Sequence, residues 1–322
     1  MTVEIAFLDR NTLSQQLVFP ELQFAHRWHF YAQTSLQQRF ERLANVQALL
    51  TNKVIIDDAL LSQCTQLKYI GVTATGYNNI DLDACRRRGV LVTNVAGYST
   101  DAVAEHVFAF ILALRKQIKA YQHSIADGAW ARSEQFTYFH EPIDTIKGST
   151  LGLIGTGAIA CAVAKLAAAF GVTVLWYSPS GRKKVNGCEC VSLDYLLRNA
   201  DLVSLHCPLT QKTSGLIDAQ ALAKMKSTAL LINTARGPIV DGAALAEALK
   251  NKSIAGAGID VLAQEPPPDD DALLALAGQN NVLMTPHTAW ASLQSQQQLL
   301  NLAVAKLNTY FTSGEVENLA GA

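Results

Sequence analysis

The sequence carries little charge of either sign: charged residues make up 16% of the 322 residues, and the formal net charge is −1. Proteins that bind nucleic acid or an acidic membrane surface usually carry an excess of basic residues, so neither partner is expected. No uninterrupted apolar run is long enough to span a bilayer. The N-terminus places Glu4 and Asp9 around a short apolar run, which favours a strand over a secretory signal.

Cysteine pairs at redox or metal-ligand spacing are also missing. None of the six cysteines forms a C-x-x-C pair, which indicates reduced thiols and a cytoplasmic protein. Cys188 and Cys190 flank Glu189, but no Cys or His follows at ligand spacing, so no metal site is expected. There is no low-complexity segment and no short repeat. A hydrophobic content of 49% over this length predicts two well-buried domains.

The chain is organised around residues Thr150–Ala160, which read TLGLIGTGAIA. The pattern is a short buried strand, a glycine turn and a helix start, in which Gly155, Gly157 and Ala160 fit the G-x-G-x-x-G/A dinucleotide fingerprint. A helical run and a second predicted strand, Val172–Tyr177, complete a βαβ unit. The sequence therefore predicts a dinucleotide site, and a purely structural glycine turn is the alternative.

Predicted strands and helices alternate along the chain, which is typical of parallel sheets with helices on both faces. The predicted fold class is α/β, with two doubly wound domains: a Rossmann nucleotide domain, 99–288, and a flavodoxin-like substrate domain, 1–98. A long helix near 292–311 suggests that the chain returns to the substrate domain, which 289–322 would complete. The predicted strands are Val3–Asp9, Trp28–Tyr31, Ala48–Thr51, Leu67–Val72, Val90–Asn94, Thr150–Ile154, Val172–Tyr177, Leu202–His206, Ala229–Asn233, Ala255–Val261 and Val282–Thr285.

Three chemically suitable side chains follow separate strand ends of the nucleotide domain, where ligands bind in open α/β sheets. Arg236 could clamp a carboxylate through paired N–H···O bonds. His287 could pass a proton to a carbonyl oxygen while a hydride reaches its carbon, and Glu265 could stabilise the imidazolium. Alone, each has a plainer interpretation: Arg236 could pair with Asp241, Glu265 could be a solvated loop acid, and His287 a loop histidine. Together they predict a dehydrogenase site.

These residues and motifs resemble the D-isomer-specific 2-hydroxyacid dehydrogenase family over essentially the whole length. The matching stretches are Gly71–Asp81, Gly152–Ala160, His206–Thr210, Asn233–Gly237, Asp260–Pro266 and Pro286–His287. Within the family the chain is most similar to glycerate dehydrogenases, also called hydroxypyruvate reductases. That narrower resemblance is carried by Ala74–Asn78, Tyr98–Asp101, Ala104–Phe108 and His287–Trp290.

The resemblance implies a role for each site residue. Arg236 would hold the substrate carboxylate together with backbone amides at Thr75 and Gly76, and His287 with Glu265 would be the acid/base pair. Trp290 would either shape the substrate pocket or pack the hinge helix. Asp260 would face the nicotinamide carboxamide, with a strand-end cap as the alternative. The expected cofactor contacts are Gly155, Gly157, Ala158, Ile159, Ser178, Ser180, Arg182, His206, Pro208, Thr213, Thr234 and Asp260; for His206 a structural role is the alternative.

The resemblance also implies a homodimer formed through the nucleotide domain. Residues 119–148 show weak periodicity and many aromatic side chains, and a long irregular segment is usually functional or an interface. This segment would be the dimerisation arm. Trp130 within it would pack in the core or interface, or reach a neighbouring active site.

The end of the second nucleotide-domain strand departs from the family pattern. Relatives that bind NAD often place an acid where Ser178 stands, and here no acid appears before Glu189. Ser178, Ser180 and Arg182, followed by two lysines, could instead bind a 2′-phosphate. NAD(P) is therefore the expected cofactor, with NADP(H) favoured; a solvated basic turn is the alternative.

The function predicted from the sequence is hydride transfer between NAD(P)H and a small 2-oxoacid, from hydroxypyruvate or glyoxylate to D-glycerate or glycolate. A broad or D-lactate-type 2-oxoacid reductase is the alternative within the family. A non-enzymatic dinucleotide-sensing regulator on the same scaffold is the alternative outside it. Phosphoglycerate dehydrogenase is less expected, because the sequence ends at Ala322 without the regulatory domain of many members.

Overall fold

The computed structural model describes residues 2–319, and the chain divides into two compact units. The first unit comprises Met1–Ser99 with Ala291–Ala322, and the second is Thr100–Trp290. In the described residues no helix combines the length and apolar character that a membrane span requires.

The first unit is built on a five-stranded parallel sheet with the strand order β2-β1-β3-β4-β5. This is the flavodoxin order, so the predicted fold of this unit is confirmed. Strands β3 and β4 have four residues each, and all of these residues are buried. Such burial is typical of parallel strands that are covered on both faces of the sheet. The elements are β1 (Val3–Phe7), β2 (His26–Phe30), α1 (Gln38–Leu43), β3 (Ala48–Thr51), α2 (Asp58–Leu61), β4 (Tyr69–Val72), α3 (Leu82–Arg88) and β5 (Leu91–Thr93).

The second unit is built on a six-stranded parallel sheet with the order β13-β12-β11-β10-β6-β7, together with a small antiparallel pair, β8 and β9. The strand order reverses between β6 and β10, which is where doubly wound sheets bind ligands. The Rossmann prediction is confirmed. The elements are α4 (Thr100–Arg115), α5 (Ile118–Ala126), β6 (Thr150–Ile154), α6 (Ala158–Ala169), β7 (Thr173–Tyr177), β8 (Lys184–Val185), β9 (Cys188–Glu189), α7 (Leu193–Asn199), β10 (Leu202–Leu205), α8 (Ala219–Leu222), β11 (Leu230–Asn233), α9 (Gly242–Lys250), β12 (Gly256–Ile259) and β13 (Val282–Met284).

The buried helix α4 packs directly against the sheet of the second unit. It is apolar on most faces because it lies between layers, with Val107, Phe110 and Ile111 in the core that covers β6 and β11. A Cβ atom on Gly258 of β12 would come within 2.7 Å of Phe110, so only glycine permits this close approach. The packing fixes the position of α4 beside the carboxyl ends of β12 and β13.

The last helix, α10 (Leu293–Thr312), belongs to the first unit. Ser292 caps its N-terminus by accepting the Ser295 N–H, and Tyr310 contacts Tyr69 of β4 with ring centroids 5.2 Å apart. The predicted helix and its Ser292 start agree with the structure.

Two local predictions need correction. Residues 119–148 are not irregular throughout, because α5 occupies Ile118–Ala126; its polar side chains and lack of an N-terminal side-chain cap obscure the helix in the sequence. The predicted basic loop after β7 also contains the β8–β9 hairpin. Asn186 and Gly187 form its turn, both with positive φ (49° and 82°), and Asn-Gly is a strong hairpin signal.

Candidate active site

The glycine turn after β6 is fixed by a close backbone contact. Gly155 has φ of +121°, and a Cβ atom there would lie 2.4 Å from the carbonyl oxygen of His206 at the end of β10. No other residue fits this conformation and this contact. The turn is therefore held against β10 at the point where the strand order reverses.

The N-terminus of α6 is left open for an anion. Gly157 is the N-cap residue and provides no side-chain cap, and apart from its own chain neighbours no atom of residues 2–319 lies within 4 Å of where its Cβ would be. By contrast, Ser192 and Asp241 cap α7 and α9 with their side chains. The uncapped N–H groups at Ala158 and Ile159, with the helix dipole, fit a dinucleotide pyrophosphate.

The end of β7 gathers hydroxyl and guanidinium groups. The buried Ser178 hydroxyl lies 3.1 Å from the Ser180 hydroxyl and accepts the backbone N–H of Arg182 at 3.0 Å. The Arg182 guanidinium reaches the carbonyl oxygen of Thr156, 3.5 Å away in the glycine turn. Lys184 lies on β8 and forms an ion pair with Glu189 at 3.3 Å. The Arg182 side chain thus points toward the glycine turn.

The loop after β10 is held together by its own side chains. His206 Nε2 lies 2.9 Å from the Ser204 hydroxyl, and burial lowers the pKa of His206 to about 3, so the ring stays neutral. The buried Thr213 hydroxyl donates to the Pro208 carbonyl at 2.6 Å and accepts the Thr210 N–H. These contacts match a structural role for His206 and Thr213, and they leave Pro208 exposed on the loop.

The loop after β11 is shaped by Asn233 and a close backbone contact. The Asn233 amide accepts the Ala235 N–H at 3.0 Å and donates to the Arg236 carbonyl at 3.1 Å. A Cβ on Gly237 would lie 2.0 Å from the Leu262 carbonyl carbon, so this loop packs backbone to backbone on the segment after β12.

The Arg236 guanidinium is available for a ligand. It donates to the Ala235 carbonyl at 2.7 Å, and across residues 2–319 no carboxylate lies within ion-pair distance of it. Asp241, the alternative partner considered from the sequence, caps α9 instead. The neighbouring Thr234 hydroxyl is buried and has no hydrogen-bond partner in the described part of the chain. A buried polar group of this kind needs an explanation, and a bound ligand would provide one.

Glu265 and His287, which the sequence predicts to be the acid/base pair, are in direct contact. Glu265 Oε2 lies 2.5 Å from His287 Nδ1, and Glu265 Oε1 accepts the Leu262 N–H at 3.1 Å. The carboxylate therefore holds the imidazole in one orientation. His287 Nε2 has no hydrogen-bond partner within residues 2–319, and the His287 side chain is 28% exposed. This nitrogen can reach a substrate oxygen.

Asp260, at the end of β12, holds the loop that carries His287. Its buried carboxylate accepts the Thr285 hydroxyl at 2.5 Å and the N–H groups of Thr288 at 2.8 Å and Ala289 at 3.0 Å. The His287 N–H donates to the Asp260 carbonyl at 2.8 Å. These contacts match the strand-end cap considered as the alternative for this residue.

His287 itself has an unusual backbone. Its φ of +55° lies in the left-handed region that non-glycine residues rarely adopt. Trp290, which is half-buried, donates its indole N–H to the His287 carbonyl at 2.9 Å. The Asp260 contacts and this indole contact together maintain a conformation that would otherwise be unfavourable.

In the first unit, the loop after β4 carries Thr75 and Gly76, whose backbone amides are expected from the sequence to bind substrate. The Thr75 carbonyl accepts from the Asn94 amide at 2.7 Å, and the Thr75 hydroxyl donates to the Val95 carbonyl at 3.1 Å. Within the described range no acceptor takes the N–H groups of Thr75 or Gly76. The loop is therefore fixed while two backbone donors stay open to a ligand.

The sequence predicts no role for His106 or Thr285. His106 Nε2 lies 3.0 Å from the Thr285 hydroxyl, which in turn contacts Asp260. A histidine within the otherwise apolar helix α4 was the available signal for His106. The position of Thr285, two residues before His287, was the signal for Thr285.

Comparison with known proteins agrees with this geometry. Residues 108–289 match the family described as D-isomer specific 2-hydroxyacid dehydrogenase, NAD binding domain. The chain is 40% identical to a glycerate dehydrogenase of Methylorubrum extorquens over 323 residues, covering 100% of both proteins. It is 30% identical to a hydroxypyruvate reductase of Blautia hydrogenotrophica, covering 88% of each. An NADPH-dependent glyoxylate/hydroxypyruvate reductase of Sinorhizobium meliloti, solved with citrate, has a TM-score of 0.83 at 25% identity, covering 98% of this chain and 97% of the other.

The chain belongs to the D-isomer-specific 2-hydroxyacid dehydrogenase family. It is an NAD(P)-dependent oxidoreductase with a Rossmann unit and a flavodoxin-like unit, as the sequence predicted.

Single substitutions of His287 and Glu265 should lower the turnover number by different amounts. His287→Ala should lower the turnover number for 2-oxoacid reduction by about 10²–10⁴, the usual contribution of a positioned general acid. Glu265→Gln should lower it less, because the amide oxygen can still accept the hydrogen bond from His287 Nδ1 but carries no charge. Steady-state rates measure both effects. Glu247→Gln, on the exposed face of α9, is the matched control. Near-normal turnover in His287→Ala would remove His287 from the mechanism.

Proposed function

We propose that this protein reduces hydroxypyruvate and glyoxylate to D-glycerate and glycolate. The observation that carries the proposal is the contact between Glu265 and His287, which leaves the second ring nitrogen of His287 without a partner among residues 2–319. The same unit carries the Arg236 guanidinium, which has no carboxylate partner in that range. The full-length similarity to a glycerate dehydrogenase supports this substrate class.

Each proposed role follows from the chemistry of the side chain. Arg236 binds the substrate carboxylate through two parallel N–H···O bonds, which a planar fork forms well. The open N–H groups of Thr75 and Gly76 are proposed as further donors to substrate oxygen atoms. Trp290, whose indole N–H donates to the His287 carbonyl, is proposed to shape the substrate pocket.

The proton is held at Nε2 of His287. The Glu265 carboxylate takes the hydrogen bond from Nδ1, so the charged imidazole directs its second N–H away from the carboxylate. The bound nicotinamide cofactor supplies the hydride for the carbonyl carbon. As the carbonyl oxygen gains charge, His287 transfers the Nε2 proton to it, and Arg236 keeps the substrate oriented.

A panel of 2-oxoacids tests the proposed substrate class. Catalytic efficiency should be highest with hydroxypyruvate and glyoxylate, and lower with pyruvate and branched 2-oxoacids. Arg236→Lys should raise the Michaelis constant for the oxoacid clearly, because a point charge replaces the two-pronged clamp, with little change in cofactor binding. Highest efficiency with pyruvate would favour the D-lactate-type alternative. Dinucleotide binding without turnover of any 2-oxoacid would favour a dinucleotide sensor.

We further propose that NADP(H) is preferred over NAD(H). The hydroxyls of Ser178 and Ser180 and the Arg182 guanidinium lie together at the end of β7, next to the glycine turn. A 2′-phosphate needs such donors and a cation, whereas ribose hydroxyls usually find a carboxylate here. The solved Sinorhizobium meliloti relative, described as NADPH-dependent, supports this preference.

Three substitutions test the preference for NADPH. Ser178→Asp should move the preference toward NADH by repelling the phosphate, and Arg182→Ala should reduce efficiency with NADPH alone. Lys184→Ala is the matched control, because Glu189 already pairs with that lysine, and its effect should be small. Efficiency is measured with each cofactor at fixed hydroxypyruvate. An unmodified enzyme that prefers NADH tenfold or more, about 1.4 kcal/mol of discrimination, would contradict the proposal.

A homodimer formed through the second unit is also proposed. An exposed apolar surface of this unit comprises Ile118, Trp130, Phe136, Phe139 and Ile143. Phe136 is 90% exposed and Phe139 is 84% exposed. Apolar side chains concentrated in this way usually mark an interface. The Trp130 indole donates to the Phe136 carbonyl at 3.1 Å, which ties Trp130 to the same surface.

Replacing both exposed phenylalanines tests the dimer. Phe136→Ser with Phe139→Ser should convert a dimer to a monomer in sedimentation velocity, because the apolar contact area is lost. Val18→Ser, at an apolar residue 73% exposed in the first unit, should leave the dimer intact. A monomeric unmodified protein at micromolar concentration, or a double variant that remains dimeric, would contradict this interface.

A further inference from the structure

A hydrogen-bonded chain links helix α4 to the loop that carries the proposed acid. His106 Nε2 lies 3.0 Å from the Thr285 hydroxyl, and that hydroxyl lies 2.5 Å from Asp260 Oδ1. The same carboxylate accepts the N–H groups of Thr288 and Ala289, on the C-terminal side of His287. Three segments of the second unit are therefore linked around one buried carboxylate: helix α4, the end of β12 and residues 285–289.

The donors and acceptors in this chain have one consistent arrangement. A carboxylate only accepts, so the single hydroxyl hydrogen of Thr285 goes to Asp260. The Thr285 oxygen then receives the hydrogen from His106, which places the ring proton on Nε2. Each group orients the next, and the direction runs from His106 to Asp260.

The surroundings of His106 keep its ring in place. The ring packs edge-on against Phe110 with centroids 4.6 Å apart, and Phe110 in turn lies against Gly258 of β12. Burial lowers the pKa of His106, and the negative charge of Asp260 opposes this shift in part. The ring is thus a fixed hydrogen-bond donor rather than a mobile surface histidine.

We propose that His106 is a positioning residue that acts through Thr285 to hold the Asp260 carboxylate in the orientation required by the His287 loop. The inference rests on the proposed function, in which His287 is the acid. His287 keeps its left-handed backbone, with φ of +55°, only while the contacts around it are intact. Loss of the His106 donor lets Thr285 and Asp260 reorient, so the His287 ring samples positions away from the substrate.

A double-mutant cycle tests the proposal. His106→Leu, which removes the donor, should lower kcat for hydroxypyruvate reduction by about 5- to 30-fold, the effect expected for one buried hydrogen bond of an oriented network. The dissociation constant for NADPH should change less than threefold. His106→Gln, which keeps an N–H donor, should restore most of kcat. In a Thr285→Val background, His106→Leu should lower kcat by less than a further threefold, because the hydrogen-bonded chain from His106 to Asp260 is already broken.

A second measurement does not depend on turnover. The His287 ring resonance, assigned by its loss in His287→Asn, should shift alike in His106→Leu, Thr285→Val and the double variant, and stay near its native position in His106→Gln. If the unmodified protein turns over no 2-oxoacid, the proposed function fails while this spectrum still reports on the positioning role. An unmoved His287 resonance in His106→Leu would overturn the inference. Losses in kcat that multiply in the double variant would overturn it as well. If His106→Leu does not fold, the other two variants still test the inference. Thr285→Val should shift the His287 resonance, and His106→Gln should leave it near its native position.

Discussion

The buried carboxylate of Asp260 is the constraint on which the candidate site depends. It accepts three hydrogen bonds from Thr285, Thr288 and Ala289, while the Asp260 carbonyl accepts the His287 N–H. Hydrogen bonds to an ionised acceptor are stronger than neutral ones, so four contacts from one residue can fix a short loop. The loop then presents the His287 ring to Glu265 at 2.5 Å. The contact between Glu265 and His287 thus depends on the way one strand ends.

The remaining site follows from the same edge of the parallel sheet. The loops after β6 and β10 pack against each other at Gly155, and the loops after β11 and β12 pack against each other at Gly237, so both contacts are made through a glycine rather than a large side chain. Ser192 and Asp241 cap α7 and α9 with their side chains. Gly157 provides no side-chain cap for α6, which suits the proposed binding of a dinucleotide pyrophosphate at this helix start.

Local sequence patterns predicted the sheets, the glycine turn and the three central side chains, because strand ends and fingerprints are encoded within a few residues. The partners of Asp260 could not be predicted in this way. His106 and Thr285 lie 179 residues apart in the chain, and only the packing of α4 on the sheet brings them together. Helix α5 was missed because its polar faces give weak periodicity, and the β8–β9 hairpin because its strands are only two residues long.

The configuration of the product tests the central claim most directly. The unmodified protein is incubated with hydroxypyruvate and NADPH, and the glycerate is resolved by chiral chromatography. The proposed site, with one fixed acid and one carboxylate clamp, holds the oxoacid in a single orientation and should yield D-glycerate alone. Formation of L-glycerate, of a racemic mixture, or of no glycerate at all would contradict the account.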